Sequence, residues 1–479
     1  MSERIAIVPA PRELVREAGH WISTDPVAEA VRTVVENLPA TEYRIDVTPE
    51  GARLSAGSDE ALRYAEQTYA QLLDAAEPAP DGSAEGAHAV PAVRIADAPR
   101  FGWRGMMLDV ARHFLPKEFV LRLVDALELH RMNVLHLHLT DDQGWRVQID
   151  AYPKLTEVGA WRAETMIGRM SESQTDFDYD GRRHGGFYTK DDLREIVEYA
   201  AARGITVVPE IDLPGHMQAA IAAYPELGNH PDQPVGVRRV WGISEHVLNV
   251  SEATVDFVRT VLREVLEIFP GPYIHLGGDE CPAEQWRESP AAQQRQDELG
   301  LTEARRLQGW FTAQVSAVLT EDGRRLVGWD EMVETDCPRD AVIMAWRGPD
   351  RGEVAAKAGH DVVMAPSQTL YFDHYQGDPA TEPLAIGGTS PLEKVYDFEV
   401  VPPGLTDEEA ARIVGTQCQL WTEYIEGPAQ VGYMLFPRLC AFSERAWGSP
   451  KTSYEDFLDR LRPHLNRITT LGLTHRPLD

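Results

Sequence analysis

Residues 251–280, SEATVDFVRTVLREVLEIFPGPYIHLGGDE, place a helical pattern, a short apolar run and two acids in direct succession. Residues 252–269 repeat apolar side chains at helical spacing, and residues 273–276 have the composition of a buried strand. The run then ends on Gly277-Gly278-Asp279-Glu280. A helix followed by a buried strand is the repeating unit of a parallel sheet.

The same alternation of strand and helix extends on both sides of this stretch. Eight short β-rich runs occur in order at residues 105–110, 134–139, 206–211, 273–276, 325–329, 342–346, 362–365 and 417–421. The intervening helical patterns include residues 116–130, 190–203, 252–269, 303–319 and 351–358. Eight such units predict an α/β fold, a closed (β/α)₈ TIM barrel.

The first hundred residues have a different pattern, and we predict a small α+β domain at 1–98 before a barrel catalytic domain at 99–479. Strands are expected at residues 5–8, 43–47, 53–56 and 93–96, and helices at 27–37 and 59–75, the second capped by Asp59. The boundary is placed in Asp97-Ala-Pro-Arg-Phe101.

Composition limits the partners and the compartment. The chain of 479 residues has 76 acidic and 46 basic side chains, a formal net charge of −30, so neither nucleic acid nor an anionic membrane is an expected partner. No secretory signal begins the sequence, which predicts a cytoplasmic location. The four widely spaced cysteines indicate reduced thiols. The oligomeric state is left open.

In a barrel of this kind the active residues follow the strands, so the strand ends indicate the chemistry. They carry acids, an arginine and several tryptophans, a mixture that suits a neutral sugar. Glu280 is the candidate proton donor for a glycosidic bond. Its neighbour Asp279 is awkwardly placed to be the opposite acid of a two-carboxylate mechanism. The residues alone leave the nucleophile open among Asp141, Asp212, Glu331, Asp373 and Glu423.

Several strand-end motifs together resemble family 20 glycoside hydrolases, the β-N-acetylhexosaminidases. They are His275-Leu-Gly-Gly-Asp279-Glu280, Arg104-Gly-Met-Met-Leu-Asp109-Val-Ala-Arg112-His113, Leu135-His136-Leu-His138-Leu-Thr-Asp141-Asp142-Gln-Gly-Trp145, Pro214-Gly-His216, Gly328-Trp329-Asp330-Glu331, Ala345-Trp346, Tyr371-Phe-Asp373 and Gln419-Leu-Trp421-Thr-Glu423. The resemblance runs from about residue 100 to residue 447, one block for each strand. It implies an exo-acting retaining enzyme on small oligosaccharides, in which the substrate's 2-acetamido oxygen attacks C1.

The resemblance also implies a role for each site residue. Glu280 would protonate the leaving oxygen and later activate water, while Asp279 would orient the acetamido group and Tyr371 would donate to its oxygen. Trp329, Trp346 and Trp421 would surround the acetyl methyl, Arg112, Asp373 and Glu423 would hold hydroxyls, and Asp141 and His216 would hold Glu280. No cofactor or metal is expected. The segments 162–186 and 238–246 are expected to shape the sites beyond the terminal sugar.

Other interpretations compete with this one. Arg112 could form only a structural ion pair with Asp109, and His136-x-His138 resembles the metal-binding pair of amidohydrolases. The later strand ends carry tryptophan where that class needs histidine or lysine, so we predict packed, hydrogen-bonded histidines. A sugar-binding protein that lost catalysis and a metal-dependent hydrolase on the same barrel remain the alternative functions.

Overall fold

The computed structural model describes residues 5–171, 176–335 and 337–478. Eight parallel strands close into a barrel in chain order, which confirms the predicted (β/α)₈ fold. They are Trp103–Asp109, Val134–His138, Thr206–Glu210, Tyr273–His275, Arg325–Trp329, Val342–Ala345, Asp361–Met364 and Ile413–Leu420. The predicted runs overlap all eight strands, and the largest error is at the last, which begins four residues earlier than expected.

Helices cover the outside of the barrel. The longer ones are Lys117–Leu129, Lys190–Ala202, Glu252–Leu266, Pro290–Glu298, Leu307–Glu321, Pro349–Lys357, Pro428–Leu435, Arg438–Trp447 and Tyr454–Thr470. Glu252–Leu266 shows why they form: the Ser251 side chain accepts from the Thr254 N–H, and valines at 255, 258, 261 and 265 are buried on one face. No helix among the described residues is long and apolar enough to span a membrane.

The interior of the barrel changes character along its axis. Side chains of a strand alternate in direction, so every second residue points inward. The lower layers are apolar and include Met107, Val134, Val208 and Val327. Inward positions nearer the carboxyl ends carry buried polar groups instead, among them His136, His138, Glu210 and His275. The barrel is therefore closed below and polar at its upper end, where ligands of such barrels bind.

The N-terminal region forms a six-stranded sheet with the helix Asp59–Leu73 on one face. The strands are Glu13–Ser23, Val31–Val34, Tyr43–Thr48, Gly51–Ala56, Glu77–Pro78 and His88–Asp97. The strands expected at residues 43–47 and 53–56 are confirmed, and they pair with each other in antiparallel orientation. The cap of the helix is Ser58 and not Asp59, because the Ser58 hydroxyl accepts from the Ala61 N–H at 3.1 Å.

Two N-terminal predictions are wrong. Residues 27–37 form a short helix, Pro26–Glu29, followed by the strand Val31–Val34, which pairs with Gly51–Ala56. The β-branched side chains of that run fit a strand better than a helix. Residues 5–8 are not a strand, although Ile7 and Val8 are buried.

A buried ion pair joins the sheet to the barrel. Asp97, the last residue of the sheet, accepts from Arg131 Nη1 at 2.8 Å, and neither side chain is exposed to solvent. The same carboxylate accepts from Tyr43 Oη at 2.6 Å and from Trp447 Nε1 at 3.0 Å. Arg131 follows the first barrel helix and Trp447 ends a later one, so one carboxylate connects three parts of the chain.

Replacing Asp97 with alanine is expected to lower the free energy of unfolding by about 3–5 kcal/mol, because it leaves the Arg131 guanidinium buried without its counter-charge. Urea unfolding monitored by circular dichroism measures the change. The control is Glu17→Ala, which breaks the exposed Arg94–Glu17 pair on the same sheet and should cost no more than about 1 kcal/mol. Equal effects of the two substitutions would contradict the prediction.

Candidate active site

The turn after the fourth barrel strand brings two neighbouring acids to one side. Gly277 and Gly278 have φ angles of 62° and 96°, and a Cβ atom on Gly277 would lie 1.7 Å from Asp212 Oδ1. Glu280 itself has a φ of 46°, which is uncommon for a residue with a side chain and clusters at functional sites. As a result, Asp279 Oδ2 and Glu280 Oε2 both lie 3.7 Å from His216 Nε2.

His216 connects these two acids to a third. Its Nδ1 lies 3.2 Å from Asp141 Oδ1, and its backbone also has a positive φ of 52°. Burial alone would lower the pKa of His216, but Asp141 and its neighbouring acids raise it well above the ordinary value. His216 therefore lies between Asp141 on one side and the pair Asp279 and Glu280 on the other.

Arg112 is held by several groups at the end of the first strand. Its Nη2 lies 2.8 Å from Asp141 Oδ2, while the pair with Asp109 considered above is longer, at 3.4 Å. Nε donates to Gln143 Oε1 at 3.1 Å, and the guanidinium lies 4.9 Å from the Trp421 ring centre. Arg112 is thus a fixed cation at the edge of the pocket rather than only a partner of Asp109.

Four aromatic side chains from separate strand ends form a box beside the acids. The centroids of Trp329 and Trp421 are 6.0 Å apart, those of Tyr371 and Trp421 are 6.3 Å apart, and the ring of Trp346 stacks on Tyr371 at 6.0 Å. Trp329 is fully buried, whereas Trp346 is partly exposed. Such a box offers apolar walls of fixed shape to a small methyl-bearing group.

Several carboxylate oxygens of the predicted site have no hydrogen-bond partner in the protein. Among the described residues, these buried atoms include Asp279 Oδ1, both oxygens of Asp373 and Glu423 Oε2. Burial raises the pKa of Glu423 to about 6, against the opposing charge of Arg112, and burial together with Glu423 raises the pKa of Asp373. Buried acceptors without donors are costly in a folded protein unless a ligand completes them.

Glu280 has the environment of a proton donor. Burial and the nearby Asp279 raise its pKa above the ordinary glutamate value, with His216 acting in the opposite direction. Its side chain is 36% exposed, compared with 12% for Asp279, so Glu280 lies nearer the pocket opening. A carboxylic acid that stays protonated and remains accessible can act as a general acid.

Glu210 is a central residue of the site to which the sequence assigned no role. Its carboxylate accepts from His138 Nδ1 at 2.5 Å and from Trp329 Nε1 at 2.9 Å, and lies 3.0 Å from His136 Nε2 and 2.9 Å from His275 Nδ1. Burial would raise the pKa of Glu210, but the three histidines lower it well below the ordinary value. The period-2 alternation of the third strand could have identified it as inward-facing.

The two histidines of the His-x-His motif are engaged with protein groups. His138 lies between Glu210 and Asp141, with 2.8 Å from Nε2 to the Asp141 carboxylate, and His136 Nδ1 accepts from Gln417 at 3.0 Å. This arrangement agrees with the predicted packed, hydrogen-bonded histidines.

Another group of possible metal ligands, His130, Cys440 and His464, lies away from the site. Burial, His130 and the surrounding arginines 467, 460 and 131 lower the pKa of His464. The same arginine charges disfavour a cation there.

The described parts of the two segments that no motif explained pack together beside the site; residues 172–175 of the first lie outside the described residues. Met166 of the first donates its N–H to Arg239 O at 2.9 Å, and Met170 N–H donates to Tyr424 Oη at 3.0 Å. In the second, Trp241 is buried 5.5 Å from the His113 ring and 6.3 Å from the Tyr424 ring. Tyr424 and His113 adjoin Glu423 and Arg112 in the chain, so these segments border the predicted pocket.

Comparisons with known proteins agree with this site. The family model for the glycosyl hydrolase family 20 catalytic domain matches residues 101–450, and the model for domain 2 of that family matches residues 11–98. A β-hexosaminidase of Porphyromonas gingivalis is 40% identical over 464 residues, which cover 95% of this chain and 58% of that protein. A β-hexosaminidase of Vibrio furnissii is 39% identical over 420 residues, 87% of this chain and 67% of the relative.

A solved structure gives the same result. An exo-β-N-acetylglucosaminidase from Vibrio harveyi, in complex with N-acetylglucosamine, has a TM-score of 0.86 at 32% identity, over 99% of this chain and 78% of that one. The chain covers less than two thirds of the length of the Porphyromonas gingivalis relative. The resemblance inferred from the strand-end motifs is confirmed, and the chain belongs to glycosyl hydrolase family 20.

Proposed function

We propose that the protein is an exo-acting β-N-acetylhexosaminidase, which removes terminal N-acetylglucosamine or N-acetylgalactosamine from oligosaccharides with retention of configuration. The observation that carries the proposal is the position of Asp279 and Glu280, which face the same imidazole nitrogen at 3.7 Å. The usual retaining mechanism needs its two acids on opposite sides of the bond. Asp279 and Glu280 on one side do not fit that scheme, and family 20 is among its exceptions, in which the substrate's acetamido group is the nucleophile.

In the proposed reaction, the Glu280 proton moves to the glycosidic oxygen as the bond between that oxygen and C1 breaks. The acetamido carbonyl oxygen forms a bond to C1 from the other face and gives an oxazolinium ion. Asp279 accepts the acetamido N–H and stabilises the positive charge, while Tyr371 donates its O–H to the attacking oxygen. Glu280, now a carboxylate, takes a proton from the water that opens the ring at C1.

The other predicted residues bind the sugar itself. Arg112 and the unpartnered oxygens of Asp373 and Glu423 offer the donors and acceptors that sugar hydroxyls require. Trp329, Trp346 and Trp421 surround the acetyl methyl.

The test compares nitrophenyl β-glycosides of N-acetylglucosamine and of glucose, which differ at the group on C2. The acetamido sugar should be hydrolysed at least about 10⁴-fold faster, because a well-oriented intramolecular nucleophile has an effective molarity of about 10⁵ M or more. The first product observed by proton NMR should be the β-anomer. Equal rates for the two sugars, or an α-anomer as first product, would refute the mechanism.

A further inference from the structure

Two tryptophans of the aromatic box donate their indole N–H groups to carboxylates from other strand ends. Trp329 Nε1 donates to Glu210 Oε1 at 2.9 Å, and Trp346 Nε1 donates to Glu331 Oε2 at 3.0 Å. Both acceptors are buried, Glu210 completely and Glu331 to 94%. A hydrogen bond from a ring nitrogen restricts rotation of the indole about its side-chain bonds, so each carboxylate fixes the plane of one wall.

The anchoring of Trp346 is double. Asp330 Oδ2 accepts from the backbone N–H of Trp346 at 2.8 Å, and the neighbouring Glu331 accepts from the ring. Burial, with Asp279 and Asp330 nearby, raises the pKa of Glu331 to about 8. A carboxyl group keeps an acceptor oxygen for the Trp346 ring in either protonation state. Glutamine has nearly the same shape and also keeps an acceptor, whereas leucine has none.

The anchoring of Trp329 is part of a larger network. The Glu210 oxygen that does not bind Trp329 accepts from His138, whose Nε2 faces Asp141 at 2.8 Å. Asp141 in turn holds Arg112 and His216. One buried carboxylate therefore fixes a wall of the box and, through His138, the group that positions the acids.

We propose that Glu331 and Glu210 are positioning residues that determine the size of the N-acyl group accepted by the site, because they fix the planes of Trp346 and Trp329. The inference rests on the proposed function and adds the specificity of the same site for the N-acyl group. A wall held in one plane leaves space for an acetyl group alone. A wall free to rotate makes room for a longer acyl chain, and one methylene in a well-fitted pocket changes kcat/KM by about 10-fold or more.

The experiment measures kcat/KM for nitrophenyl β-glucosaminides bearing N-acetyl, N-propanoyl and N-butanoyl groups. Glu331→Leu is expected to lower the preference for acetyl over butanoyl by about tenfold, whereas Glu331→Gln should stay within about twofold of the wild type. The matched control is Glu334→Gln, which removes a charge from the same turn by altering a contact with Arg347 and leaves the Trp346 anchor intact. Glu210→Gln tests the second anchor.

A second readout does not depend on turnover. In ¹⁵N-tryptophan-labelled protein, Glu331→Leu should shift one indole N–H signal, assigned as Trp346 by its loss in Trp346→Phe, and Glu331→Gln should restore it. If the leucine variant does not fold, judged by circular dichroism, Glu331→Met takes its place. A shifted indole signal with an unchanged acyl preference would overturn the inference, as would a glutamine variant as permissive as leucine. Failure of the wild type to hydrolyse any N-acyl sugar would instead refute the proposed function.

Discussion

Glu280→Gln is expected to lower kcat for an alkyl β-glycoside of N-acetylglucosamine by about 10²–10⁴-fold, the usual contribution of a general acid. An alkoxide is a poor leaving group, so in the proposed mechanism the bond to C1 breaks only with a proton from Glu280. Glutamine fills the same space and cannot supply that proton. Steady-state assays with a reducing-sugar readout measure the loss.

Leaving-group dependence separates this role from a loss of structure. A dinitrophenolate ion is a good leaving group and departs without protonation. The cleavage rate of a dinitrophenyl glycoside should therefore fall much less in Glu280→Gln than the cleavage rate of the alkyl glycoside. An equal loss for both substrates would show that Glu280 acts on folding or binding instead. A thermal unfolding midpoint close to that of the wild type completes the control.

The pH profile gives a further check on the same residue. In the proposed mechanism, the first step requires protonated Glu280, so activity should fall as the pH rises through its pKa. Because burial and Asp279 raise that pKa, the alkaline fall should occur at a higher pH than for an ordinary glutamate. The alkaline fall in activity should be absent in Glu280→Gln. If the fall persisted in that variant, it would belong to the titration of another group.

The barrel, and the types of residue that follow its strands, could be predicted because both depend on short-range patterns in the sequence. Each buried strand is a short apolar run, and the residue after it is placed by the fold at the same end. The direction of Glu280 could not be predicted in this way. Period-2 alternation would place Asp279 and Glu280 on opposite faces, but the strand ends at His275, and the turn with positive φ at Gly277, Gly278 and Glu280 brings both toward His216.

The errors lie where local patterns compete with tertiary contacts. The strand Glu13–Ser23 was not predicted because most of its residues are exposed, so it lacks an apolar signal and is defined by pairing with His88–Asp97. The role of Glu210 was missed for a related reason. A carboxylate that serves three histidines and an indole is identified only once four strands are brought together.

Asp279→Asn is expected to lower kcat/KM for N-acetylglucosaminides by about 10²–10³-fold, the usual cost of removing one electrostatic contact to a developing charge. Burial and Glu210 raise the pKa of Asp279, while His216 opposes them. In the proposed mechanism, the positive charge that develops on the acetamido group favours the carboxylate form of Asp279. An amide lacks the carboxylate charge and can also turn its NH₂ toward the acetamido N–H.

Binding of a thiazoline analogue of the bicyclic intermediate, followed by calorimetry, tests this role without turnover. Asp279→Asn should weaken its affinity by about 10²-fold, because the analogue carries the ring nitrogen that Asp279 would contact in the proposed mechanism. Glu280→Gln is the comparison. This variant should lose mainly kcat and little affinity for the analogue, because the proton of Glu280 goes to the leaving-group oxygen, which the analogue lacks. If the asparagine variant bound the analogue as tightly as the wild type, the group that orients the acetamido nucleophile would have to be sought elsewhere on the rim.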